Sequence, residues 1–241
     1  MHFITLESET DFDGWRTAAR ALALNDVAPA DVTWTVKGNQ PELFEPTELT
    51  PPLEPPDGTF NVPARFVELA QTAILHRDPQ RFAILYRLLW RLRSNHDLLD
   101  VASDPDVAQV AGMAKAVRRD EHKMHAFVRF REVGRERESH FVAWFEPEHH
   151  IVELAAPFFV RRFADMAWSI LTPDLCAHWD GHAATFTPGG QQGGSAIRRP
   201  AGGNMAALLR QHFQSRPVEG EGDADRDAEE ILAEPAGGLV D

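Results

Sequence analysis

A chain of 241 residues, 43% of them hydrophobic, carries enough apolar side chain for one large domain, or for a domain and a tail. Its one cysteine, Cys176, excludes an intrachain disulfide and any zinc or iron–sulfur site built from this chain's thiolates alone. The net charge of −13 argues against drawing in a polyanion by bulk attraction, and no apolar run reaches the ~20 residues that span a bilayer. The opening residues MHFITLESETDFDGW show neither a basic nor an apolar signal region. The expectation is a cytoplasmic protein with no membrane partner and no cofactor.

In chain order, HFITLE predicts a strand, and Asp11 or Asp13 is placed to cap a helix through WRTAARALAL. DVTWTVKG alternates Val32, Trp34 and Val36 and predicts a second strand, completing a small β-α-β unit. Between Gln40 and Asn61 prolines recur, fixing φ and removing ladder donors, so a loop or extended linker is expected. FVELAQTAILH predicts a helix. HRDPQRFAILYRLLWRLRSN predicts another, with Asp78 as N-cap, Pro79 in its first turn, and Phe82, Leu85, Tyr86, Leu89 and Leu92 on one buried face. Asp104-Pro105 opens a further helix through VAQVAGMAKAVRRDEHKMHAF. FVRFREV and HFVAWFEP then predict a hairpin around GRER. HHIVELAAPFFVRRFADM is helical, and WSILTP with LCAHWDGHAATFTP predicts a final hairpin turning at Asp180-Gly181. The fold class expected is α+β, a small mixed or antiparallel sheet under a helical layer. The core would span residues 1–188, with 189–241 a glycine-rich linker and an acidic, disordered tail.

Charge is unevenly spread. Between Met113 and Arg137 lie eight basic residues and only four acids, Asp120, Glu121, Glu132 and Glu136. At helical spacing Lys115, Arg118, Arg119, His122 and Lys123 share a broad face that suits phosphates. The plainer reading is a solvated face with Asp120 and Glu121 as local ion-pair partners. His149 and His150 in EPEHH invite a metal, but adjacent residues diverge by about 100° on a helix and by half a turn on a strand. A helix-start or structural role is expected for them instead, and no metal site. Arg161 offers either a phosphate fork or a partner for Asp165. Ser169 and Cys176 lie in no nucleophile elbow, and neither has a recognisable base in sequence.

The blocks HRDPQRFAILYRLLWRL, DPDVAQVAGMAKAVRRDEHKMHAFVRFRE, FVAWFEPEHHIVELAAPFFVRRFADMAWSILTPD and WDG, in that order from Phe60 to about Pro188, resemble an uncharacterised bacterial family labelled as DNA-metabolism proteins. Members of that family occur beside a radical-SAM protein linked to DNA repair, or in front of a uracil-DNA glycosylase of the iron–sulfur type. The resemblance therefore implies a DNA-repair accessory domain, the N-terminal part of such a fusion, with any glycosylase chemistry in a downstream domain. It leaves open a repair enzyme working with a radical-SAM partner, for which Arg119, His122, Lys123, His149, His150 and Arg161 are the polar candidates, and a protein-interaction scaffold.

The tail departs from the family, which continues beyond WDG with blocks of the form YxxIFNPAR, MPKKYW and NLPE. Codons able to encode Gln214–Pro217, moved one base, read NPAR. Codons able to encode Arg226–Pro235 read EMPKKYWRNL under the same shift. The sequence thus predicts a frame change between roughly codons 188 and 205. DNA is the expected partner, through Lys115, Arg118, Arg119, His122, Lys123 and Arg161.

Overall fold

The computed structural model describes residues 1–38, 61–133 and 139–190. The proline-rich segment, the GRER turn and the tail from residue 191 lie outside the described residues. The fold is mixed α/β, with helices α1 (Phe12–Leu24), α2 (Ala64–Ala73), α3 (Arg81–Leu92), α4 (Pro105–Phe127) and α5 (Val152–Arg162) and two sheets.

The first sheet pairs β1 (His2–Leu6) with β2 (Val32–Val36), parallel, in register from His2 opposite Val32 to Leu6 opposite Val36. A parallel pair needs a crossover, and α1 supplies it. Asp11 starts α1 by accepting the Gly14 amide at 2.8 Å and also accepts the Glu7 amide at 3.1 Å. The second sheet orders β3 (Arg131–Val133), β4 (His140–Trp144), β5 (Trp168–Leu171), β6 (Leu175–Trp179) and β7 (Ala184–Pro188) side by side. β4 and β5 are parallel, joined through α5, and every other neighbour is antiparallel. Where one small sheet was expected, the strands thus divide between two.

Among the described residues two large apolar cores result, beside a small cluster of Val133, Val142, Leu171 and Cys176 on the sheet. The first gathers Leu6, Trp15, Leu22, Phe66, Ile74, Phe82, Leu85, Tyr86 and Leu92 from β1, α1, α2 and α3, with Val107, Val110 and Met113 from the first half of α4. Trp34, Trp15, Tyr86 and Trp90 contribute neighbouring rings about 6 Å apart. The second packs Val117 and Met124 of the same helix against Ala155, Ala156 and Phe159 of α5 and Trp168, Ile170 and Ala177 of the sheet. α4 is the element the two cores share.

Asp104 caps α4 through the Asp106 and Val107 amides, with Pro105 behind it, as the sequence predicts. α3 differs from expectation. Its first residue is Arg81, and Asp78-Pro79 form a turn before it in which Asp78 accepts the Gln80 amide at 2.9 Å. The predicted strand from Phe127 is also shorter, because α4 runs through Phe127 and leaves only residues 131–133 to pair. At Asp180-Gly181 the turn forms as predicted, with Gly181 at φ 95° and Asp180 accepting the His182 and Ala183 amides at 2.8 Å. The described chain continues past Pro188: Gly189 donates to the Asp174 carbonyl at 2.7 Å, and a Cβ there would sit 2.0 Å from the Pro173 oxygen.

Candidate functional site

Successive residues of a helix turn by about 100°, so the inward set of α4 fixes its outward set. Val107, Val110, Met113, Ala114, Val117 and Met124 are buried, and Lys115, Arg118, Arg119 and His122 are exposed on the opposite side. Asp120 does not balance them. It is 3% exposed, turned inward, and its Oδ2 accepts the His149 amide at 2.9 Å. Burial raises the affinity of its carboxyl for a proton. The expected local pairing through Asp120 is therefore corrected: the residue serves the loop beneath the helix. Lys123, at the edge of the face, bonds Glu148 at 3.0 Å. Among the described residues no ion pair holds Lys115, Arg118 or Arg119.

α5 extends this surface. Arg161 is exposed at its last turn and makes no ion pair with Asp165 or any other described residue. The His125 ring stacks on Phe158 of α5 with centroids 4.1 Å apart. Burial lowers the pKa of His125 against the pull of Glu121 and a backbone bond at Ala155. His122, one turn before His125, and Arg161, one turn after Phe158, are both exposed. Leu154, one turn before Phe158, is 40% exposed.

His149 and His150 lie elsewhere, at a junction beneath α4. The His149 ring packs against His76 at 4.2 Å, and its Nδ1 accepts the Arg77 amide at 3.3 Å. Arg77 Nε donates to the Glu148 carbonyl at 2.9 Å, and its guanidinium pairs with Asp174 at 2.5 Å. The His150 amide donates to the Leu75 carbonyl at 2.9 Å, and burial and two arginines lower the pKa of its ring. Beside it Arg81, 1% exposed, donates to the carbonyls of Ile74, Asp78 and Glu9 and pairs with the Glu9 carboxylate. The structural role expected of the histidine pair is what this geometry performs: it staples the α2–α3 turn to the loop before α5.

One cluster escaped the sequence. Ser169 Oγ lies 2.8 Å from His140 Nε2 and 2.7 Å from His178 Nδ1, and His178 Nε2 lies 2.9 Å from Thr187 Oγ1. This chain of bonds runs across β4, β5, β6 and β7, and burial lowers the pKa of His178. No base for Ser169 was visible in the sequence; the fold supplies two. The hydroxyl is buried at 5% exposure, so the bonds tie strands together rather than present a nucleophile. The alternation of His140, Ser169 and His178 with apolar residues was the available signal, but the strand pairing that joins them was not legible. Among the described residues no group of three or more His, Cys, Asp or Glu is placed to hold a metal ion, and no helix is long and apolar enough to cross a membrane.

The fold and its surface define a mixed α/β domain that presents a basic helix face. The chain belongs to the DUF4130 family, a domain of unknown function, which matches residues 79–224. No curated protein and no solved structure matches the chain. The family match starts inside the first core and runs beyond Pro188, where family-like sequence was expected to end.

Proposed function

We propose that the chain is an accessory domain of DNA metabolism that holds nucleic acid on the outer face of α4. The observation that carries this reading is the set Lys115, Arg118, Arg119 and His122, exposed on one side of one helix, with the nearby Asp120 turned away. Lys115, Arg118 and Arg119, in no ion pair with a described acid, are available to replace the counterions of a phosphate backbone. The net charge of −13 does not oppose a local interaction of this kind, since most of the acidic excess lies away from this helix. The resemblance to DNA-metabolism proteins supplies the pathway, with a uracil-DNA glycosylase domain or a radical-SAM repair protein as partner. An enzymatic role for His149 and His150 finds less support, because both are engaged in the buried junction.

The test replaces Lys115, Arg118 and Arg119 together by alanine and measures binding to uracil-containing DNA over a salt series. The expected result is weaker binding to all sequences, with the slope of log affinity against log salt reduced by about 0.7–0.9 for each phosphate that is no longer neutralised. Unchanged binding by the variant, or a slope near zero in the parent chain, would favour the interaction scaffold. Sequencing the gene beyond codon 188 tests the fusion: a restored frame entering a cysteine-rich glycosylase domain supports it, and an intact gene encoding the present tail removes it.

A further inference from the structure

The basic face does not end at α4. On one side it meets α5, whose outward strip holds Leu154, Phe158 and Arg161, at the spacing of one helical face. The two helices meet at the His125–Phe158 stack, with ring planes 25° apart. His122, one turn before His125 on α4, and Arg161, one turn after Phe158 on α5, are both exposed, and Leu154, 40% exposed, continues the apolar surface along α5. The surface therefore sets an aromatic and apolar step beside exposed basic side chains of both helices, where Lys115, Arg118 and Arg119 taken alone carry no ring.

Duplex DNA and single strands ask for different surfaces. A duplex offers an outside helix its phosphates, sugars and groove edges, but keeps its base faces stacked inside where no ring can lie on them. A single strand exposes base faces between its phosphates, and suits a basic track interrupted by rings and apolar side chains. From this arrangement we infer that the α4–α5 surface takes single-stranded nucleic acid in preference to duplex, its phosphates on Arg118, His122 and Arg161 and a base against the His125–Phe158–Leu154 step. The inference rests on the nucleic-acid reading proposed above and adds the form of the ligand. It is a preference of stacking, with no base identity built into it.

The experiment uses the full chain and two fluorescein-labelled probes, an oligo-dT strand and a mixed-sequence duplex of equal length, titrated at the same moderate salt. The expected result is tighter binding of the strand by about ten-fold, since a stacked base is worth ~1–3 kcal/mol and each 1.4 kcal/mol is a factor of ten. Phe158→Leu keeps an apolar side chain under His125 but removes the ring, and should weaken strand binding about five-fold or more while leaving duplex binding unchanged. Leu154→Ala, at an exposed position that cannot unfold the core, should narrow the same preference and guards against a folding defect in the first variant. Equal affinity for both probes, with both abolished when Lys115, Arg118 and Arg119 become alanine, overturns the single-strand inference and leaves the nucleic-acid reading standing. Binding of neither probe overturns both.

Discussion

Arg81 shows how a charged residue becomes structural. It lies in the first turn of a helix whose sequence pattern places it among exposed positions, yet it is 1% exposed and donates to three backbone carbonyls and one carboxylate. Burial pulls its pKa down, and the bond to Glu9 pulls it back. Nothing in the local sequence marks this, because the partners come from Glu9 and from the α2–α3 turn, and only the tertiary fold brings them together. Replacing Arg81 by Met keeps the apolar stem and strands those acceptors. We expect a loss of about 3 kcal/mol or more in urea unfolding, the usual cost of breaking a buried charged pair. A loss under ~1 kcal/mol would show that the carbonyls find other donors. The basic residues of α4 were, by contrast, legible from spacing alone; what the spacing could not show was that Asp120 turns inward, away from them.

Among elements, the helices were the most readable, since each carries its own period and its own start. Asp11 and Asp104 cap the helices the sequence assigned to them, and all five apolar positions named on α3 are buried. The sheets were read strand by strand, but their division into a parallel pair and a five-stranded mixed sheet depends on long-range pairing that no local pattern encodes. The packing of α3 on α4 is likewise a property of two elements together. Asp106 accepts from Arg87 Nε at 2.9 Å and from Arg91 at 2.8 Å, and Arg91 also pairs with Asp104. These arginines hold the Asp106 carboxyl below the usual carboxylate range. Asp106→Ala would release Arg87 and leave Arg91 held by Asp104 alone. The expected destabilisation is about 1–2 kcal/mol, less than for a fully buried pair because both arginines remain partly in water. Urea titration of the variant measures it, and a neutral result would mean that the Asp106 pairs add nothing to the apolar packing and the Arg91–Asp104 pair.

At the scale of the molecule, two consequences can be measured. Five histidines, His76, His125, His149, His150 and His178, all have pKa values lowered chiefly by burial. Each is favoured as the neutral form when folded, so the unfolded chain takes up protons first. Their contribution is constant above the ordinary imidazole pKa of about 6.5 and is lost progressively as pH falls below it. Asp120, whose pKa is raised, acts in the opposite sense at lower pH. Melting at pH 8 and pH 5.5 should therefore show a lower midpoint in acid, and a flat profile would mean that the rings titrate as if in water. The second consequence concerns the family boundary at residue 79, which cuts between α2 and α3. A fragment beginning there lacks β1, α1, β2 and α2, exposes Phe82, Leu85 and Tyr86, and leaves Arg81 without Glu9. It should bind a hydrophobic dye and melt without a sharp transition. A cooperative melt near that of the whole chain would show that the first core is dispensable.

The shared helix also sets how the molecule opens. One half of α4 is buried in the first core and the other in the second, with Ala114 and Val117 on either side of the boundary. Neither core can come apart without uncovering part of the rod that the other grips. In heavy water, the amide hydrogens around Ala114–Val117 should then exchange last of all, at the rate of complete unfolding, while those of β7 at the sheet edge exchange through local fraying.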